Sequence, residues 1–169
     1  MVTMPELNLL AAQVGKILTQ RRWQLVTAES CTGGFLAKII TDIPNASSWF
    51  DRGFITYSYR SKQDMLGVRA KTLNDFGAVS QPVVEEMAQG ALEHSLAQVS
   101  VAITGIAGPT GGTPEKPVGT VWIAWGRHSI PVVTLNYCFA GDRASVRTQS
   151  VIMALTQLKD LLENEVGWH

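Results

Sequence analysis

Ser30 stands between a run with strand character, Trp23 to Thr27, and the pair Gly33-Gly34 that precedes an apolar helical stretch, Phe35 to Ile40. A serine at a strand-to-helix turn can point its hydroxyl into a cleft while nearby amide N–H groups meet a developing oxyanion. The same position also suits an N-cap serine. A serine nucleophile needs a base, and Lys62, five positions after Tyr57 in Tyr57-Ser-Tyr-Arg-Ser-Lys62, serves if burial lowers its pKa toward neutrality. A lysine or tyrosine at a helix edge is equally at home as a solvated or packing residue. Cys31 is a rival nucleophile, but His94 and His128 lie in segments without a catalytic signature and His169 is the last residue, so Cys31 is read as packing.

Other familiar arrangements are absent: there is no G-x-S-x-G elbow, no S-x-x-K pair and no H-E-x-x-H metal site. The segment Gly105 to Gly112 lacks the G-K-[ST] ending of a nucleoside-triphosphate loop and does not match G-x-G-x-x-G. Its glycines either aim backbone amides at one phosphate or supply a turn that needs positive φ. Gly141-Asp142-Arg143 opens the final helical stretch with an N-cap, free N–H groups and a guanidinium, a combination suited to a phosphate or carboxylate, with Arg147 one turn later. A solvated surface cap fits these residues as well.

The elements that must position these groups follow from periodicity. Leu7 to Thr19 reads as an amphipathic helix, Trp49 to Tyr57 as a strand, and Ser61 to Leu66 and Ala70 to Phe76 as short helices. A longer helix starts at Ser80-Gln81-Pro82 and is expected to reach about Ala97. Val99 to Thr104 is a continuous apolar run, a central-strand signature. Val118 to Trp125 and Ile130 to Phe139 form an antiparallel hairpin, followed by a helix from about Asp142 to Glu163 and fraying C-terminal residues. Helices before, between and after strands imply an α/β fold with helices layered on a partly parallel sheet. Ligands in such folds gather at the carboxyl ends of strands.

Composition bounds the rest. The 169 residues, 46% of them hydrophobic, fit one domain with a sizeable core. Fourteen basic and fourteen acidic side chains cancel, leaving no electrostatic excess for nucleic acid or an anionic membrane. No apolar run is long enough to span a bilayer, and the start of the chain lacks export features, so a cytoplasmic location is expected. The two cysteines are expected to be reduced.

Taken together, Thr27-Ala-Glu-Ser-Cys-Thr-Gly-Gly34, Phe54-Ile-Thr-Tyr-Ser58 with Lys62, Gly105-Ile-Ala-Gly-Pro109 with Gly111-Gly112, Lys116-Pro-Val-Gly119 and Gly141-Asp-Arg143 resemble the CinA C-terminal-domain family, from about Gln13 to Leu158. The resemblance implies a three-layer α/β/α sandwich with a mixed sheet, a homodimer, no metal and no cofactor. Family members include amidohydrolases that convert nicotinamide mononucleotide to nicotinate mononucleotide and ammonia, so a small-molecule nucleotide is the implied partner. By motif, Ser30 is the implied nucleophile, Lys62 its base and Tyr57 a hydrogen-bonding partner in proton transfer. Glu29, Gly33, Gly34, Ser48, Thr104, Gly105, Ala107, Gly108 and Arg143 are the implied substrate contacts. The chain departs from the family pattern at Tyr59, where asparagine is usual, and at Thr110, where aspartate is frequent. These departures bring a second expectation, a nucleotide-binding paralogue with little or no activity, and with it the expectation that Tyr59→Asn raises turnover.

Overall fold

The computed structural model describes residues 2–164 and 167–168. In chain order the elements are α1 (Met4–Arg21), β1 (Leu25–Glu29), α2 (Phe35–Thr41), a single 3-10 turn (Ala46–Ser48), β2 (Phe50–Ile55), α3 (Tyr59–Leu66), α4 (Ala70–Phe76), α5 (Gln81–Glu93), β3 (Val99–Gly105), β4 (Thr120–Arg127), β5 (Val133–Cys138) and α6 (Arg143–Asn164). The five strands form one sheet in the order β2-β1-β3-β4-β5. The first three strands are parallel, and β4 and β5 return antiparallel as the expected hairpin.

Side chains on the strands alternate between two cores. Leu25, Val99, Val101, Ile103, Val121, Ile123 and Trp125 face α1, α2 and α6. Val26, Ala28, Ala102 and Ala124 face α3, α4 and α5. The result is the three-layer α/β/α sandwich that the family resemblance implies. Both faces of the central strands are covered, which is why they read as continuous apolar runs. On the second face the small alanines let α5 lie close, and Gly90 of α5 touches α3 so tightly that a Cβ there would come 1.9 Å from the Leu66 carbonyl oxygen.

Several boundaries differ from the sequence expectation, each for a local reason. Trp23 closes α1 instead of opening β1: Arg22 turns left-handed, and the Trp23 N–H donates to the Leu18 carbonyl at 2.9 Å. The α3 helix begins two residues before Ser61, because Ser58 and Ser61 cap each other reciprocally. The α5 helix ends early at Glu93, because the backbone of its C-cap His94 leaves the helical conformation (φ −99°, ψ 19°). Of the residues expected to fray at the C-terminus, 165, 166 and 169 lie outside the described residues. Trp168 does not fray: it is 2% exposed, and its carbonyl, with that of Leu162, accepts hydrogen bonds from the Arg21 guanidinium. Among the described residues no helix is long and apolar enough to cross a membrane.

In register, Glu29 is level with both Ile55 and Ile103, so β1 and β2 end together and β3 runs two residues further. Ser30, Thr56 and Thr104 therefore emerge side by side at the carboxyl edge where α/β sheets place their ligands.

Candidate active site

The turn that carries Ser30 is fixed from inside and outside. Inside, the buried Glu29 carboxylate accepts from the Thr32 hydroxyl at 2.7 Å and from the N–H groups of Leu36 (2.9 Å) and Ala37 (3.1 Å), tying the start of α2 to the end of β1. Outside, Arg147 Nη2 donates to the Thr32 carbonyl at 2.7 Å. Gly33 and Gly34 both adopt positive φ, and a Cβ on Gly33 would lie 2.8 Å from Arg147 Nη2, so the sharp turn requires glycine there. Ser30 extends the β1–β3 ladder through its own N–H to Ile103 at 2.9 Å and is 8% exposed.

Lys62 arrives from α3, on the far side of the β2 edge. Its Nζ donates to Ser30 Oγ at 2.9 Å and to the Thr56 carbonyl at 2.7 Å. The residue is 1% exposed, and among the described residues no carboxylate lies within ion-pair distance of it. Burial without a counter-charge disfavours the ammonium and brings the pKa down to about 8. Burial has the opposite effect on Cys31, whose thiol is pushed up to about 12. At neutral pH the thiol is protonated and unreactive, whereas a useful fraction of Lys62 is a free amine touching a hydroxyl.

Ser30, Cys31 and Lys62 form the floor of a cleft of about 260 Å³. Tyr57, Tyr59, Ala78, Val79, Thr104, Gly105, Ile106, Ala107, Gly108, Thr110, Gly111 and Arg143 complete it. Arg143 bridges the mouth, donating from Nη1 to the Gly108 carbonyl at 3.0 Å and from Nη2 to the Tyr57 phenol oxygen at 2.8 Å. Tyr57, 61% exposed, thus engages Arg143, and among the described residues it makes no hydrogen bond to Ser30 or Lys62. Thr104 Oγ1 donates to the Ala78 carbonyl at 2.9 Å, so its hydroxyl holds the α4–α5 loop against the strand end.

Backbone amides divide into committed and available ones. The Gly33 N–H donates to the Ser30 carbonyl at 3.0 Å, and that of Ile106 to the Thr120 carbonyl at 2.9 Å. The next two, on Ala107 and Gly108, are buried at the cleft and have no acceptor among the described residues.

The structure therefore brings together Ser30, Tyr57, Lys62, Thr104, Gly105, Ala107, Gly108 and Arg143, as the motifs imply, and leaves four implied contacts outside the cleft. Glu29 is buried beneath the turn with its carboxylate occupied by α2. Gly33 and Gly34 line a separate hollow with Phe35, Lys38 and Arg147. Ser48 sits before the start of β2, at the opposite end of that strand from Ser30, and its hydroxyl donates to the Asn45 carbonyl. Sequence reasoning missed Ala78, Val79 and Ile106: apolar residues in loops carry no chemical signature.

This arrangement can be set beside known proteins. Residues 7–162 match the CinA C-terminal domain. The chain belongs to the CinA C-terminal domain family. Among its relatives in that family, the nicotinamide-nucleotide amidohydrolase PncC of Escherichia coli (strain K12) is 52% identical over 164 residues, covering 96% of this chain and 99% of that protein. The protein of the same name from Pseudomonas putida is 48% identical over 158 residues, covering 94% and 98%. The crystal structure of the competence/damage inducible protein CihA from Agrobacterium tumefaciens superimposes with a TM-score of 0.91 at 42% identity, covering 93% of this chain and 96% of that one. The CinA-family fold thus extends over nearly the whole chain.

Proposed function

We propose that this protein deamidates nicotinamide mononucleotide, with Ser30 as nucleophile and Lys62 as general base. The observation that carries the reading is the 2.9 Å contact between the buried Lys62 amine and Ser30 Oγ at the floor of a cleft. Relatives named nicotinamide-nucleotide amidohydrolase share about half of their residues with the chain over nearly its full length.

The steps follow from the geometry. Neutral Lys62 accepts the Ser30 proton as Oγ attacks the carboxamide carbon, and the oxyanion meets the available amides of Ala107 and Gly108. Lys62 then returns the proton to the nitrogen, the C–N bond breaks, and ammonia leaves an acyl ester on Ser30. A water molecule, deprotonated by the same amine, attacks the ester, and the carboxylate departs as Ser30 regains its proton. Two of the five Arg143 N–H groups hold Gly108 and Tyr57, and the others remain to meet the substrate phosphate at the mouth.

The binding-only alternative suggested by Tyr59 gains no support from the hydrogen bonding, because that phenol is bonded to Ala78 and leaves the Ser30–Lys62 pair intact. The test is ammonia release from nicotinamide mononucleotide by the purified wild type, by Ser30→Ala and by Cys31→Ala. Turnover is expected in the wild type, loss to background in Ser30→Ala with unfolding temperature retained, and measurable turnover in Cys31→Ala. Activity persisting in Ser30→Ala removes the serine mechanism. Mononucleotide binding without ammonia release removes the enzyme reading.

A further inference from the structure

The Ser30 cleft is lined by two cationic side chains, Lys62 and Arg143, and by no carboxylate among the described residues. A ligand that carries a positive charge into it meets no side-chain counter-ion. Nicotinamide mononucleotide is such a ligand, since the ring that bears its carboxamide is a pyridinium. The groups left to favour a cationic ring are aromatic faces, whose quadrupole attracts positive charge. Two aromatic residues line the cleft. Tyr57 already has the Arg143 guanidinium against its phenol at 2.8 Å, a like charge that disfavours a cationic ring there, which leaves Tyr59.

Tyr59 opens α3 one helical turn before Lys62, so the two side chains leave the helix on the same side. Tyr59 is 48% exposed and lines the cleft. Its orientation is fixed at the far end, where the phenol oxygen accepts the Ala78 N–H at 3.2 Å. That anchor is itself held: the Ala78 carbonyl takes the Thr104 hydroxyl at 2.9 Å, and the neighbouring Phe76 carbonyl takes Lys116 Nζ at 2.8 Å. A tyrosine tethered by its hydroxyl gives a pre-set aromatic wall with little rotamer freedom left to lose when a ligand binds.

We infer that Tyr59 is a specificity-determining residue: its tethered ring is the aromatic wall that selects a flat, cationic heteroaromatic ring beside the scissile carboxamide. The assignment rests on the mononucleotide reading above, and the experiment separates the two. Calorimetry on Ser30→Ala, alone and combined with Tyr59→Leu or Tyr59→Phe, compares nicotinamide mononucleotide with its reduced dihydro form. The reduced form has the same amide, ribose and phosphate and an uncharged ring. Ammonia release by the wild type is measured in parallel.

The preference for the oxidised ligand is expected to fall about five- to tenfold with Tyr59→Leu. Tyr59→Phe keeps the ring and should change the preference by less than about twofold, while weakening both ligands alike through loss of the Ala78 tether. An unchanged preference in Tyr59→Leu, or equal weakening of both ligands by both substitutions, overturns the assignment and leaves Tyr59 as an anchor for the loop. Ammonia release combined with that result spares the deamidase reading. Selective, Tyr59-dependent binding without ammonia release spares Tyr59 and removes the deamidase reading; failure of Ser30→Ala to bind the mononucleotide overturns the Tyr59 assignment, and overturns both when the wild type also releases no ammonia.

Discussion

At the scale of single residues, the buried amine of Lys62 governs behaviour with pH. Its pKa of about 8 means that the free amine, the form able to take the Ser30 proton, becomes about ten times more abundant per pH unit below 8 and levels off above it. The initial rate at low substrate should follow that curve, and Lys62→Arg should be inactive at every pH because guanidinium keeps its proton. The same shift has a sign for stability. In the unfolded chain Lys62 holds its proton up to its ordinary value of 10.5, whereas in the fold it releases it near 8. Between those values the unfolded state binds more protons, so stability contributed by this residue rises with pH. Compared with Lys62→Met, the wild type should gain on the order of 3 kcal/mol from pH 8 to 10.5, read from urea midpoints at each pH. The contact made by Tyr59 sets a second expectation beside the one from the family pattern. By family pattern Tyr59→Asn restores the usual amide and raises turnover, yet here it removes the acceptor of the Ala78 N–H and the cleft wall with it. Weaker mononucleotide binding is the expected outcome, visible as a higher KM.

At the scale of elements, the Ser30 turn depends on Glu29 and Arg147 more than on its own sequence. Glu29→Ala leaves two helix N–H groups and the Thr32 hydroxyl without their buried acceptor, which should cost about 2–4 kcal/mol and lower kcat by misplacing Ser30. Arg147→Met should retain most of the stability and still lower kcat, because it frees only the outer side of the turn. Thermal unfolding alongside steady-state kinetics distinguishes the two clamps. The helices and strands were legible because their apolar periods are clear, and the glycine-marked turns at Gly33-Gly34 and Gly105–Gly112 announced where the strands stop. What was not legible depends on partners far along the chain. Trp23 has strand character but spends its amide on Leu18. Ser58 caps a helix through Ser61, where a glutamate would have been the readable signal. Glu29 sits in a motif that names it a ligand residue, and only the fold reveals that α2 uses up its carboxylate.

At the scale of the whole molecule, α6 connects two regions with different duties. Its first residue, Arg143, bridges the cleft mouth, and its last turns are fastened to α1 through Arg21, roughly 30 Å away at the rise of an α-helix. Trp168→Ala should therefore destabilise the protein by about 3 kcal/mol or more, through the loss of a buried aromatic side chain, while leaving KM and kcat within twofold at temperatures where the fold persists. The same separation places every ionisable side chain of the cleft at one edge of the sheet, and the charged ones are cationic. Deamidation turns a neutral carboxamide into an anion in that setting. The newly formed carboxylate is born beside Lys62 and is attracted most when that amine is protonated. Nicotinate mononucleotide should consequently cling to the cleft more tightly as the pH falls toward about 8 and keep that tighter hold below it, so that end-product inhibition adds to the shortage of free amine at neutral pH and below.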